Sequence, residues 1–198
     1  HEINQPLAAI QNYVSATLRR LGSDQPDIPR VVETLIKLEK QSVRAGDVIS
    51  RMRNFARKEP VVPTRVSVAK VVTDSLQLAA VDFERQNVTA DVAPLPVNAY
   101  LFVDEVQIQQ VLLNLLRNAM ESQAAAGNQL LPIKVTAVKR ETRLEIVVID
   151  RGTGLPTDDS ESVFVPFFTT KKQGEGTGLG LAIVKKVVLE HSQIRLKT

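Results

Sequence analysis

The chain has 198 residues, with 43% hydrophobic and 24% charged residues, which are the proportions of an ordinary globular protein with one large or two small domains. Its formal net charge is +3, and its basic residues are scattered rather than gathered into a tract, which argues against nucleic acid as a partner. It has no cysteine and two histidines, which excludes disulfides and thiolate metal sites and argues against zinc chemistry. The longest apolar runs are shorter than the ~18 residues of a membrane span, so we expect no membrane contact by this stretch.

The first 59 residues have the pattern of two long amphipathic helices. Apolar or small residues recur with alternating spacings of four and three at positions 3, 7, 10, 14, 17 and 21, and again at 31, 35, 38, 42, 45, 49, 52 and 56. The segment GSDQPDIP between them has the glycine and prolines of a loop. The pattern predicts an antiparallel helical hairpin over residues 1–59. Because two helices cannot cover both apolar faces, a second copy is expected to complete a dimeric four-helix bundle.

Residues 60–198 follow a proline-containing linker, KEPVVPT, and alternate between helical and strand patterns. Helices are predicted at about 67–85, 104–125 and 179–190. Strands are predicted at VTADV, NAYLFV, IKVTAVKR, RLEIVVID and IRLKT. Residues 151–176 are polar and glycine-rich, and are too long for an ordinary turn, which is typical of a lid. The fold class is therefore α+β, with a helical hairpin followed by a unit in which helices and strands alternate.

Two asparagines, Asn114 and Asn118, lie four positions apart on one face of the second of these helices. A carboxamide oxygen is a neutral ligand that suits Mg²⁺ already bound to phosphates. Solvated asparagines on an exposed helix face are the ordinary alternative, and this pair alone does not decide between them.

The segment DRGTG follows the strand pattern RLEIVVID. Asp150 at this position can accept a hydrogen bond from the amino group of a bound adenine, whereas the carbonyl of a guanine would be repelled. Gly152 and Gly154 permit a close approach of the backbone. A strand-ending turn without a ligand would have the same sequence.

Four alternating glycines at 174, 176, 178 and 180 lead into the last helix. Backbone amides at such a junction form an anion site, although the spacing is not that of a dinucleotide fingerprint. Upstream, three phenylalanines interrupt the polar loop at 164, 167 and 168. They either anchor a lid over a nucleotide or form a small core beneath the loop.

Taken in order, these elements resemble the histidine protein kinases of two-component signalling. HEINQPL is similar to the phosphoacceptor box of that family, and QVLLNLLRNAMES to its N box. DRGTG, VFVPFFTTK and GEGTGLGLAIVK are similar to its first glycine box, F box and second glycine box. Together with QSVRAGDVISRMRNFARK, they look most like the subgroup of sensors that contains FixL and DctB.

The resemblance implies a dimerisation and phosphotransfer hairpin joined to an ATP-binding α/β sandwich of the gyrase type. Asn118 would hold Mg²⁺, Asn114 would assist at the phosphates, and Asp150 would select adenine. Lys171 or Lys172, with Thr177 and Gly178, would meet the triphosphate. The full set of nucleotide-binding residues implied is Asn114, Asn118, Asp150, Gly152, Gly154, Phe168, Thr170, Lys171, Gly176, Thr177, Gly178, Leu179 and Gly180.

The resemblance also implies that His1 is the nucleophile that takes the γ-phosphoryl group of ATP, while Glu2 orients its other ring nitrogen. On the helical heptad His1 falls at an outward position, and Pro6 is expected to bend the helix just beyond it. Gln5 stands where many relatives have Thr or Asn, which leaves phosphatase activity open. The phosphoryl group would pass to an aspartate of a response regulator receiver domain. A cytoplasmic location is implied, with membrane anchoring of the parent protein left open.

Two other classes of protein remain open from the sequence. ATPases and chaperones of the same superfamily place a water-activating glutamate where this chain has Asn114. A protein of this class would release phosphate rather than label a histidine. A degenerate kinase that acts as a dimeric scaffold would lack nucleotide affinity. Glu121, where some family members carry a phosphate-contacting lysine, is a departure from the family pattern.

Overall fold

A computed structural model describes residues 3–56, 62–141, 144–155, 161–171, 176 and 178–191. The chain forms two compact units, of which one contains residues 1–58 and 169–179 and the other contains residues 59–168 and 180–198. The predicted domain boundary at residues 59 and 60 stays a prediction. The predicted last strand, 194–198, lies outside the described residues.

The first unit contains the predicted hairpin, formed by helices α1 (Asn4–Leu21) and α2 (Ile28–Ala56). Helix α1 ends where the backbone N–H of Gly22 donates to the carbonyl of Leu18 at 3.0 Å. Asp27 precedes α2, and its Oδ1 accepts the backbone N–H of Arg30 at 3.1 Å, as an N-cap does. Pro6 lies in the first described turn of α1, where a missing N–H costs no helical hydrogen bond, so the expected bend stays a prediction.

Only alternate positions of the predicted seam are buried between α1 and α2. Thr17, Val31 and Ala45 of the seam are at most 7% exposed, and so are Thr34 and Val48, which lie next to the seam. The two buried hydroxyls donate to carbonyls one turn earlier in their own helices, so they are satisfied. Five other seam positions keep apolar side chains 40–51% exposed on the outside of the hairpin: Leu7, Val14, Leu21, Leu35 and Ile49.

Within its described residues, the second unit has three helices and two small sheets. Its helices are α3 (Val68–Gln86), α4 (Glu105–Ala125) and α5 (Gly180–Glu190), with a single 3₁₀ turn at Ser162–Phe164. Its strands are β1 (Thr64–Ser67), β2 (Ala90–Val92), β3 (Tyr100–Val103), β4 (Ile133–Lys139) and β5 (Leu144–Ile149). Strands β1 and β3 pair antiparallel, while β4 lies between a parallel β2 and an antiparallel β5.

Strand β1 was missed by the sequence analysis, which placed Thr64 in the linker KEPVVPT. The strand has four residues, too few for a period of two to be recognised, and it pairs with β3, about 36 positions later in the chain. The other helices and strands predicted within the described residues are present, with ends shifted by one to two residues.

An aliphatic core places α3, α4 and α5 together in this unit. Side chains that are at most 5% exposed include Val68, Val71, Val72, Ile108, Leu112, Leu116, Met120, Ile133, Val135, Ile183 and Val184. At the surface, Lys70 of α3 contacts Asp74 and reaches Glu105 of α4. Hydrogen bonds to Asp74 and then to Glu105 raise the pKa of the Lys70 ammonium above its usual range.

His191 joins the end of α5 to the beginning of α4. The imidazole is 6% exposed, and its Nε2 accepts the backbone N–H of Asp104 at 3.2 Å. Because a backbone N–H can only donate, the ring proton must be on Nδ1, which donates to the carbonyl of Val187 at 2.9 Å. Both ring nitrogens are therefore engaged, and His191 is not available as a nucleophile or metal ligand.

Within the described ranges, no helix combines the length and the apolar composition needed to cross a membrane.

Candidate functional site

One face of α4 carries three polar side chains in succession, Asn114, Asn118 and Ser122. Asn118 lies against Gly180, the first residue of α5: a Cβ atom at position 180 would be 3.4 Å from Oδ1 and 3.5 Å from Nδ2 of Asn118. The structure thus brings together two residues that the sequence predicted separately. The asparagine lies beside a helix N-terminus, where free backbone N–H groups favour an anion.

Asn114 has a buried Nδ2 atom without a hydrogen-bond partner among the described residues. Buried amide donors are almost always paired, since an unpaired one loses its hydration without compensation. Gln107 Oε1, earlier on the same helix, is the other described side-chain atom in this state. An unsatisfied carboxamide one turn before Asn118 is consistent with a partner that the protein does not itself supply.

Asp150 follows β5 directly and begins a tight turn. Its Oδ1 accepts the backbone N–H of Gly152 at 2.8 Å, which is the hydrogen bond of an Asx-turn. Gly154 has a φ of +73°, a conformation that disfavours any side chain, and a Cβ there would meet nothing within 4 Å. The turn thus engages Oδ1 of Asp150 with the backbone of the same loop.

Gly152 is required by packing against α4 rather than by backbone conformation. A Cβ at this position would lie 1.9 Å from Oγ and 2.5 Å from the carbonyl carbon of Ser122. The backbone N–H of Thr153 donates to the same Oγ at 3.1 Å. The loop of Asp150 therefore lies directly on the helix face that carries the two asparagines.

Gln123, which the sequence analysis did not single out, is fully buried beneath this loop. Its Oε1 accepts the backbone N–H of Arg151 at 3.3 Å, and its Nε2 donates to the carbonyls of Asn128 at 3.1 Å and Leu131 at 2.7 Å. A signal was present in the sequence, because Gln123 continues the helical stripe of Leu112, Leu116 and Met120. A polar residue at a core position of a helix indicates a buried hydrogen-bonding role.

The phenylalanines of the predicted lid are not equivalent. Val163 is buried, and the Phe164 ring lies 5.5 Å from Nζ of Lys185 on α5, which also pairs with Glu161 at 3.6 Å. Phe167 and Phe168 are 53% and 37% exposed, and Phe167 has a φ of +69°. The beginning of the segment thus packs on the unit, while its last two aromatic rings remain accessible.

The second glycine segment belongs to the other unit. A Cβ at Gly176 would be 2.9 Å from Oγ1 of Thr169 and 3.0 Å from Cδ of Lys171, and the Lys171 backbone N–H donates to the same Oγ1 at 3.2 Å. Thr170 is exposed, Gly178 has a φ of +60° and Leu179 is buried. Gly176 thus lies against both Thr169 and the side chain of Lys171.

Three of the predicted site residues, His1, Glu2 and Thr177, lie outside the described residues, as does Lys172. Gln5 is half-buried in the first described turn of α1. Their predicted roles stay predictions.

A shallow cavity of about 340 Å³ at the loop end of the hairpin is a separate feature. Its lining includes Arg19, Arg20 and Arg30, of which Arg20 donates to the hydroxyl of Thr34 and Arg30 pairs with Asp27 at 3.2 Å. No predicted nucleotide-binding residue lines it, so it forms no part of the predicted site.

Two models of known protein families match this chain. The family model of the His Kinase A (phospho-acceptor) domain matches residues 1–60. That of the histidine kinase-, DNA gyrase B- and HSP90-like ATPases matches residues 103–198. The chain belongs to the sensor histidine kinases. The family resemblance drawn from the five sequence motifs is therefore confirmed.

Individual relatives agree with this placement. The sensor protein FixL of Bradyrhizobium diazoefficiens is 36% identical over 192 residues, which are 96% of this chain and 37% of FixL. The catalytic domain of histidine kinase ThkA is 30% identical with a TM-score of 0.57, over 66% of this chain and 83% of that domain. The predicted similarity to FixL-type sensors is confirmed, although the chain spans little more than a third of FixL itself.

The predicted fold class is also confirmed by a structure that matches nearly the whole chain. ThkA in complex with the response regulator protein TrrA has a TM-score of 0.66 and 22% identity, over 98% of this chain and 52% of that one. The chain thus shares the fold of a solved histidine kinase over nearly its whole length.

Proposed function

We propose that this chain is a histidine kinase core that binds Mg·ATP, transfers the γ-phosphoryl group to His1 and passes it to an aspartate of a response regulator. The observation that carries the proposal is the single face of α4 on which Asn114 Nδ2 has no hydrogen-bond partner among the described residues, Asn118 meets the start of α5 and Ser122 meets the loop of Asp150. A magnesium nucleotide presents phosphates, a hard cation and an adenine ring. Asn114, Asn118 and the loop of Asp150 would meet these three parts in turn.

The residues present fit a magnesium nucleotide. Among the described residues, no group of three or more His, Cys, Asp or Glu side chains could hold a metal by itself. A cation here would therefore need phosphate oxygens in addition to the Asn118 carboxamide, as Mg²⁺ commonly has. When bound, Mg²⁺ would neutralise phosphate charge, while Asn114 would donate its unpaired N–H and Asp150 would accept the amino group of adenine.

We assign the triphosphate to the second glycine segment and its neighbours. Lys171 would contribute its positive charge, and Gly176, Thr177 and Gly178 would contribute their backbone N–H groups. Phe168 and Thr170, both exposed, would contact the nucleotide from the preceding segment, with Leu179 and Gly180 leading into α5.

His1 is the phosphoacceptor in this proposal because the second histidine is engaged on both nitrogens. A ring nitrogen of His1 would attack the γ-phosphorus in line, the bond to the bridging oxygen would break, and ADP would leave with the electron pair. Glu2 would accept the hydrogen bond of the other ring nitrogen and so orient the imidazole. Gln5, one turn further on, would lie beside the phosphorylated ring.

The alternative of an ATPase or chaperone-like machine is not favoured. Residues 1–60 match a phosphoacceptor domain, which such machines do not need. In addition, the position where they carry a water-activating glutamate is Asn114, a side chain that cannot serve as a base.

Removal of the Asn118 carboxamide tests nucleotide binding. We expect Asn118→Ala to weaken Mg·ATP binding by on the order of 100-fold, since one metal ligand is lost. Titration calorimetry and the increase in melting temperature with Mg·ATP measure the effect. Gln109→Ala, on the opposite side of the same helix, is the matched control and should bind normally. Unchanged affinity in Asn118→Ala would contradict the metal role.

Dimerisation is proposed through the apolar side chains left outside the hairpin. Sedimentation of the chain should give twice the 21.8 kDa of one copy. A buried charge would oppose association, so Leu35→Glu, at a side chain 46% exposed, should give a monomer. Leu130→Glu, at an 87% exposed side chain outside the hairpin, should remain dimeric. A monomeric parent chain at high concentration would contradict the proposal.

The response regulator would dock beside His1, and both proteins would be cytoplasmic. The solved complex of ThkA with TrrA supports this partner class, since its fold matches this chain over nearly its full length. Whether the parent protein is anchored in a membrane depends on segments other than the described helices.

A further inference from the structure

We infer that Ser122 and Gln123 are positioning residues for adenine selectivity, because they hold the loop of Asp150 against α4. The inference rests on the proposed function, since it concerns how the nucleotide base is chosen. Neither side chain needs to touch the nucleotide. Each acts on the backbone that carries the Asp150 carboxylate.

Gln123 fixes the peptide group that follows Asp150. The N–H of Arg151 belongs to this peptide and donates to Gln123 Oε1 at 3.3 Å. Both N–H groups of the same carboxamide are also used, at the carbonyls of Asn128 and Leu131. Because the side chain is fully buried, it cannot exchange these bonds for water, and its orientation is determined by three backbone groups at once.

Asn128 closes the network from the other side. Its Nδ2 donates to the carbonyl of Arg151 at 2.6 Å, while its own carbonyl accepts from Gln123. Arg151 is thus held at both its N–H and its carbonyl. The residue next to Asp150 therefore has little freedom to rotate, although its side chain is exposed.

Ser122 holds the far side of the same turn. Its Oγ accepts the N–H of Thr153 at 3.1 Å and lies where a side chain at Gly152 would have to be. Two glycines in five residues give an unconstrained loop a high conformational entropy. The contacts of Ser122 and Gln123 remove that freedom before any ligand binds.

Selectivity between purines depends on this rigidity. Asp150 Oδ1 is used by the turn, and Oδ2 has no hydrogen-bond partner among the described residues, so it is the atom that can accept an adenine amino group. A carboxylate held in place repels a purine with a carbonyl at that position, whereas a loop free to move can turn the carboxylate away. We call the contacts of Ser122 and Gln123 with this loop the clamp. Loss of the clamp should thus reduce discrimination between ATP and a purine nucleotide with a carbonyl at that position more than it reduces binding of a triphosphate.

The experiment compares Mg·ATP with Mg·ITP, which has a carbonyl in place of the amino group, on the full chain. Gln123→Met keeps a similar volume but leaves the three backbone groups without their partner. We expect it to lower the ratio of the two affinities about tenfold, which corresponds to one positioned hydrogen bond. Ser122→Ala removes only the contacts of Oγ with Thr153 and should lower the ratio by a smaller factor. Ser122→Ala also tests the inference if Gln123→Met folds poorly.

A double-mutant cycle separates positioning from general stability. In a chain that carries Asp150→Ala, adding Gln123→Met should change the ATP-to-ITP ratio no further, because the group it positions is gone. Val72→Ala, a cavity variant in α3, is the control for reduced stability and should keep the parent ratio.

The outcomes distinguish the two proposals. A parent chain without preference for ATP over ITP would overturn both the proposed adenine role of Asp150 and the clamp. A parent chain with a preference that Gln123→Met and Ser122→Ala retain, even when their melting temperatures fall, would overturn the clamp alone. A lowered ratio in these variants with an unchanged ratio in Val72→Ala supports it.

Discussion

Replacement of His1 by glutamine is expected to abolish acid-labile labelling from γ-labelled ATP, by at least about a thousandfold, because the nucleophile of the reaction is removed. Glutamine has nearly the length of histidine but no nitrogen with an available lone pair. Nucleotide binding should stay at the parent level, since the proposed nucleotide residues are all elsewhere. Phosphorimaging after an acid wash measures labelling, and calorimetry measures binding.

The second histidine provides a matched control. His191→Gln should reduce stability, because the backbone N–H of Asp104 and the carbonyl of Val187 depend on the imidazole, but labelling should persist below the melting temperature. Acid-labile labelling that survives in His1→Gln, or disappears only in His191→Gln, would place the phosphoryl group elsewhere and contradict the assignment.

Gly152→Ala is expected to have the largest effect on the fold of the nucleotide site. The new methyl group would be 1.9 Å from Ser122 Oγ and 2.5 Å from the Ser122 carbonyl carbon, so the loop would have to leave α4. We expect the free energy of unfolding to fall by about 3 kcal/mol, the upper range for overpacking, and ATP binding to be lost with the displaced Asp150. Urea unfolding and calorimetry measure the two effects.

Two further glycines serve as controls for Gly152→Ala. Gly154→Ala has space for a methyl group but a φ of +73°, so it should cost only about 1 kcal/mol. Gly46→Ala, in α2 with nothing within 4 Å, should stabilise the hairpin slightly.

A second substitution tests whether the contact with Ser122 causes the loss of stability in Gly152→Ala. Ser122→Gly added to Gly152→Ala removes the contact with Oγ but not the contact with the backbone, so rescue should be partial. Parent-like stability in Gly152→Ala alone would show that the loop does not pack on α4 as described.

The helices and the positions of the polar groups in the main motifs could be predicted from the sequence because their signals are local. Alternating spacings of apolar residues predicted the hairpin, and its unburied half, from Leu7 to Ile49, is what the expected second copy requires. The asparagine pair on α4 and the aspartate after β5 were each identified within a few residues of chain. Five motifs in order were enough for the family, which the comparisons confirm.

The tertiary structure decided which of these pieces meet. Pairing of β1 with β3, the contact of Gly152 with Ser122, the clamp of Gln123 on Arg151 and the engagement of His191 with Asp104 all join residues about 28 to 87 positions apart. No periodic pattern in the sequence indicates such contacts, because each depends on how two separate elements pack against each other. The sequence alone thus determined the elements and the groups capable of chemistry, while folding determined why one glycine is required, why one glutamine is buried and why His191 is not available to react.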